Sequence, residues 1–284
     1  MDVPARLDNG LAWCGVPCTV LLTGFNAALS RVAEVVYGSA AAPRLLTGNF
    51  VGIQRVDALQ HIDGIFEEDY ENHRQLVLTS GLATTGMAPC MIWTYTADEV
   101  LSYIPNADAY FAQHALHRCA PFAPVLGNDH SVQPSMDPSG RLQALYAAWA
   151  PFFGAYAGGC WWLAAEPVRV DAATGMAPGD VQVNGFTVGG GCTAPAAAAG
   201  AGPVAQVIAV AVAAGFSSAP GDAVSLSIAD AFEGAAPAAC ESVVPGGAWQ
   251  PLALPTRDAG SGRWVFGNTM LMERGAVMLR CSRS

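Results

Sequence analysis

Hydrophobic positions follow two different periods along the chain, and the texture changes near residue 167. Before that point Phe25, Leu29, Val32 and Val36 recur at helical spacing, which predicts an amphipathic helix closed by Gly38. Residues 44–50 read as a short strand with polar residues at its carboxyl end, 62–68 as a second strand and 69–80 as a helix stopped by Gly81. Residues 91–95 are the next strand, and Thr96-Ala-Asp-Glu99 behind them is a capping box. A helix over 107–119, a strand over 123–126, a long helix over 140–156 and a final strand over 160–164 complete the series. Leu142, Leu145, Trp149 and Phe152 or Phe153 mark the buried face of the long helix. Strand, loop and helix alternate about every 30 residues, the rhythm of parallel βα units.

After Pro167 the apolar runs shorten and turn residues multiply. Residues 181–188, 204–212, 224–228, 264–266 and 276–280 read as strands, with no sustained helical period between them. The pattern therefore predicts two domains: 1–167, a partial βα barrel, and 168–284, an all-β sandwich.

Composition narrows the functional classes. A net charge of −10 with 52% hydrophobic residues describes a chain with a sizeable core and argues against nucleic acid or an anionic membrane surface as partner. All 13 basic residues are arginine, which excludes a P-loop lysine, a pyridoxal Schiff base and any lysine nucleophile. Residues 1–10 lack the marks of a signal peptide. The uncharged stretch 11–30 is interrupted by Gly15, Pro17, Gly24 and Asn26, and the apolar segment 204–216 is too short to cross a bilayer. A soluble protein without a membrane span is expected, extracellular if the chain is truncated at its start. The eight cysteines lack paired metal-ligand spacing, so scattered buried thiols are the plain reading; their even number also permits disulfides. His114 and His117 share a helix face but have no carboxylate at ligand spacing, so neither a metal nor a cofactor is expected.

Candidate chemistry gathers at the carboxyl ends of the predicted strands, where parallel βα folds place reacting groups. Asn49 follows the first strand, and Glu67, Glu68 and Asp69 follow the second. Trp93 and Tyr95 close the third, with apolar faces and polar edges suited to a sugar ring. Asn128, Asp129 and His130 follow the fourth, and Glu166 the last. Period-two alternation directs Glu67 and Glu68 to opposite faces, so one of the two points into the mouth. With Asp129 it supplies two carboxylates of the kind that flank a glycosidic bond, as nucleophile and as general acid or base. Asn49, Asp69, Trp93, Tyr95, Asn128, His130 and Glu166 are the candidate substrate contacts. The plainer alternatives are a helix start at Glu68, Asp69 and Glu71, a Gly-Asn-Asp turn at 127–129, and for Glu166 a link into the β domain.

Leu-Leu-Thr-Gly-Asn49, Asp63-Gly-Ile-Phe-Glu-Glu68, Ile92-Trp-Thr-Tyr95, the strand into Glu166 and the closing Arg274-Gly-Ala-Val-Met-Leu279 together resemble TIM-barrel glycosidases with a C-terminal β-sandwich. The resemblance covers residues 44–284 and implies hydrolysis of a glycan by carboxylates. A full barrel needs eight βα units, whereas five or six fit before Pro167, so two or three are missing at the start. Two functions stay open: a hydrolase using Glu67 or Glu68 with Asp129, and a non-catalytic glycan-binding or surface-structural protein that retains the fold.

Overall fold

The structure is a computed structural model and describes residues 31–32, 47–49, 64–67, 91–92, 107–121, 140–156, 159–162, 164–189, 203–215 and 218–283. The chain forms two compact units, one of residues 1–83 and 87–93, the other of 84–86 and 94–284. In the first, β1 (Thr47–Asn49), β2 (Gly64–Glu67) and β3 (Met91–Ile92) lie side by side in parallel. Asn49 is in register with Phe66, and Glu67 with Ile92.

The second unit opens with α1 (Ala107–His117), the short β4 (Ala120–Pro121) and α2 (Arg141–Ala155). It continues with β5 (Gly159–Trp161), β6 (Val168–Thr174), β7 (Val181–Gly189), β8 (Val204–Ala213) and β9 (Ala223–Ile228). The remaining strands are β10 (Ala239–Val243), β11 (Gln250–Leu252), β12 (Thr256–Arg257), β13 (Trp264–Val265), β14 (Met270–Leu271) and β15 (Ala276–Ser282). One sheet runs β11-β10-β15-β8-β7-β5. In the other, β9 pairs with β13 and β14 along its length and with β6, while β12 extends β13. Every pairing within these two sheets is antiparallel.

Alternation along the strands explains how the layers stack. Val207, Ala209, Ala211 and Ala213 of β8 and Val277, Leu279 and Cys281 of β15 enter one core with Val224, Leu226 and Ile228 of β9, closed by Phe232, Trp264, Phe266, Met270 and Met272. Ile208, Val210 and Val212 occupy the opposite face of β8 and are also buried, because α1 lies against β7 and β8. A strand covered on both faces needs apolar residues at every position, which is why residues 207–213 show no polar alternation. Full burial of side chains such as Ile208 or Leu226 contributes roughly 1.5–3 kcal/mol each.

The helices cohere through aromatic rings. Phe111 of α1 stacks on Trp149 of α2 at 6.2 Å between centroids and meets Tyr146 edge-on at 5.0 Å. Asp108 joins the layer to the sheet below, accepting from Trp149 Nε1 at 3.1 Å and from Arg274 at 3.2 Å. Gly185 marks a close crossing: a Cβ there would stand 3.1 Å from Pro167 Cβ, Trp162 Cε3 and Val168 Cγ2, where the chain passes from β5 across β7 to β6.

These observations correct the expected fold. The described chain is predominantly β, with two antiparallel sheets, two α-helices and no closed barrel, so it is not an α/β partial (β/α)8 barrel followed by a sandwich. The element that misled most is β5. Its apolar, tryptophan-rich segment suits any buried strand, and periodicity carries no information about strand direction. It pairs antiparallel with β7, Cys160 opposite Thr187, as an edge of the six-stranded sheet.

Candidate functional site

Among the described residues, two groupings of polar side chains in the second unit include buried charged or ring groups. The first is the carboxyl end of α1, where His114, His117 and Arg118 are all buried. His114 Nδ1 lies 2.6 Å from the Tyr110 carbonyl and His117 Nδ1 lies 2.9 Å from that of Gln113. A carbonyl can only accept, so each Nδ1 carries the proton and each Nε2 is left as the acceptor. Nε2 of His114 has no hydrogen-bond partner among the described residues. Burial, opposed by the Tyr110 carbonyl and reinforced by nearby His117, lowers the His114 pKa to about 3. Its imidazole is therefore neutral at ordinary pH.

Arg118 adopts a left-handed conformation, φ 57°, and ends the helix there. Burial lowers its pKa, partly offset by Tyr156; the Tyr156 phenol is in turn raised well above the usual tyrosine range by burial. Carbonyls of the last turn are satisfied from outside the helix. Tyr156 donates its hydroxyl to Ala115, Asn184 donates Nδ2 to Leu116 at 2.7 Å, and the Cys119 amide donates to His114 at 2.8 Å.

The second place is the outer face of the β9 sheet. Ser225 and Ser227 alternate with the core residues Val224, Leu226 and Ile228 and so face outward. Arg263, just before β13, covers Ser227: Nε donates to Ser227 Oγ at 3.0 Å, one terminal nitrogen to the Ser227 carbonyl at 2.9 Å and the other to the Glu166 carbonyl at 2.8 Å. Ser227 Oγ donates onward to Asp171 Oδ1 at 3.1 Å, which also takes Arg169 Nε at 2.8 Å. Burial lowers the Arg263 pKa, and Glu166 opposes that shift. A bulge between Val170 and Ala172 brings Asp171 to this position. Beyond Arg263, hydrogen bonds from the Ser261 side chain and amide hold the Asp258 carboxyl below its usual range.

At the second place the hydroxyl is held rather than presented. Ser227 is fully buried beneath a guanidinium, and its acidic neighbour is shared with a second arginine. That arrangement fixes a strand face, with the hydroxyl donating to Asp171 and accepting from Arg263. Among the described residues no three His, Cys, Asp or Glu side chains are placed to hold a metal ion. No helix among them is long and apolar enough to cross a membrane.

Of the sequence candidates, the structure places Asn49 and Glu67 at the carboxyl ends of adjacent parallel strands, one register step apart. Glu68, Asp69, Trp93, Tyr95, Asn128, Asp129 and His130 lie outside the described residues. Glu166 sits between β5 and β6 with φ 50°, its side chain 58% exposed and 3.6 Å from Arg263. Arg263, Ser227 and Asp171 escaped notice in the sequence, where a serine alternating with apolar residues was the single available signal. His114 and His117, which share a helix face in the sequence, are core residues.

No protein-family model matches the chain, and comparison with curated proteins finds no match. With the antiparallel sheets already described, this overturns the resemblance to TIM-barrel glycosidases and leaves the hydrolase and carbohydrate assignments drawn from it without support.

Proposed function

We propose that this chain is a surface-structural protein, built to present a rigid sandwich rather than to turn over a substrate. The observation that supports this is the Arg263 cluster. Its guanidinium, the Ser227 hydroxyl and the Asp171 carboxylate are closed on one another and on the chain leading into β6. Buried polar groups so engaged rigidify a fold and leave little capacity for a ligand. An extracellular setting belongs to the same proposal. The competing function is hydrolysis of a glycan by Glu67 or Glu68 with Asp129.

Activity of the purified full chain on a panel of aryl glycosides and polysaccharides decides between them. The structural role predicts no release of reducing ends above buffer. Turnover that is lost in Glu67→Gln, Glu68→Gln or Asp129→Asn, with the thermal transition of each variant retained, overturns it.

A further inference from the structure

The cysteines bear on the extracellular setting of that proposal through an observation separate from the Arg263 cluster. Cys240 and Cys281 are opposite each other on β10 and β15 and form a disulfide, with Cα atoms 4.2 Å apart. Cys119 and Cys160 are also disulfide-bonded, so every cysteine among the described residues is oxidised. Cys240 is 3% exposed and Cys281 0%, both inside the core between the two sheets.

Thiol–disulfide exchange proceeds by in-line attack of a thiolate on a sulfur, so it requires an ionised thiol and access for the second reagent. The folded core offers neither to Cys240 and Cys281. We infer that this disulfide is made while the chain is still folding, by a disulfide-bearing oxidant in a compartment more oxidising than the cytosol, and that closure of the two sheets then seals it. The step balances: one thiolate attacks the oxidant and releases a thiol, and the second cysteine displaces the other half of the oxidant. Two protein thiols and one oxidant disulfide become one protein disulfide and two thiols. Persistent structural disulfides of this kind belong to extracellular, periplasmic and secretory-pathway proteins.

The test uses the full chain. Protein made in an oxidising compartment is treated with dithiothreitol, with and without guanidinium, quenched by alkylation and mapped as peptides. The expected result is a Cys240–Cys281 cross-linked peptide that survives native treatment and is reduced at least 100-fold faster in denaturant. Free thiols at both positions in the folded protein, or equal reduction rates in the two conditions, overturn the inference. In a parallel arm, reduced and unfolded chain is refolded by dilution into glutathione redox buffer or into dithiothreitol. Recovery of the native cooperative transition in the redox buffer alone is expected; equal recovery in dithiothreitol overturns the requirement for oxidation.

Discussion

Asn184 of β7 donates its side-chain amide to the Leu116 carbonyl across 68 residues of sequence, at 2.7 Å. It thereby supplies from a strand what the last turn of α1 cannot supply itself. Asn184→Leu leaves that carbonyl without its donor in a partly buried position. The expected loss is about 1–3 kcal/mol, read as a lower midpoint in urea with an unchanged slope.

Arg263 binds three acceptors in a fork that lysine cannot reproduce. Arg263→Lys should therefore destabilise nearly as much as Arg263→Met, each by about 2–4 kcal/mol. Full retention of stability in the lysine variant would show that charge, not the fork, is what matters there.

His114 makes stability depend on pH in a defined window. Its pKa falls from 6.5 to about 3 on folding, so the unfolded chain takes up the proton first. Stability from this group is constant above pH 6.5 and declines as pH falls from 6.5 toward 3. The slope for one proton approaches about 1.4 kcal/mol per pH unit. The other histidines titrate in the same window, so the effect is read as the difference between wild type and a His114 variant between pH 5 and 6.5. In His114→Phe the difference from wild type should shrink as the pH is lowered through that window.

Cys240 and Cys281 are separated by 41 residues, a span that includes β11 to β14. Chain entropy gives the cross-link about 4 kcal/mol through its restraint on the unfolded state. The double variant Cys240→Ala/Cys281→Ala should melt roughly 10 °C lower in calorimetry. An unchanged melting temperature would mean that the unfolded chain is already held together at this point by other contacts.

The sequence was legible where a segment's own pattern determines its structure. α1 and α2 fall where the periodicity of 107–119 and 140–156 puts helices, and β7, β8 and β9 fall on the apolar runs 181–188, 204–212 and 224–228. What local pattern does not hold is the partner of each strand. β5 resembles a parallel barrel strand in composition, yet only its pairing with β7 decides its direction and its sheet. The same applies to the polar clusters. Arg263 and Ser227 are 36 residues apart, and Asp171 is 56 from Ser227, so no spacing rule brings them together. His114 and His117 were visible as a pair, but their burial depends on β7 and β8 lying against α1.

The six-stranded sheet also has a timetable. β15 lies between β10 and β8, although it is the last of that sheet's strands in chain order. Until 276–282 is in place, β8 has a sheet partner only in β7, and β10 only in β11. In that interval each has an open, hydrogen-bonding edge, which β15 fills in the folded sheet. β8 in that interval is an apolar strand with a bare flank, the kind of edge that recruits other chains. A chain lacking 276–282 would keep that edge open and should aggregate more readily than the full chain.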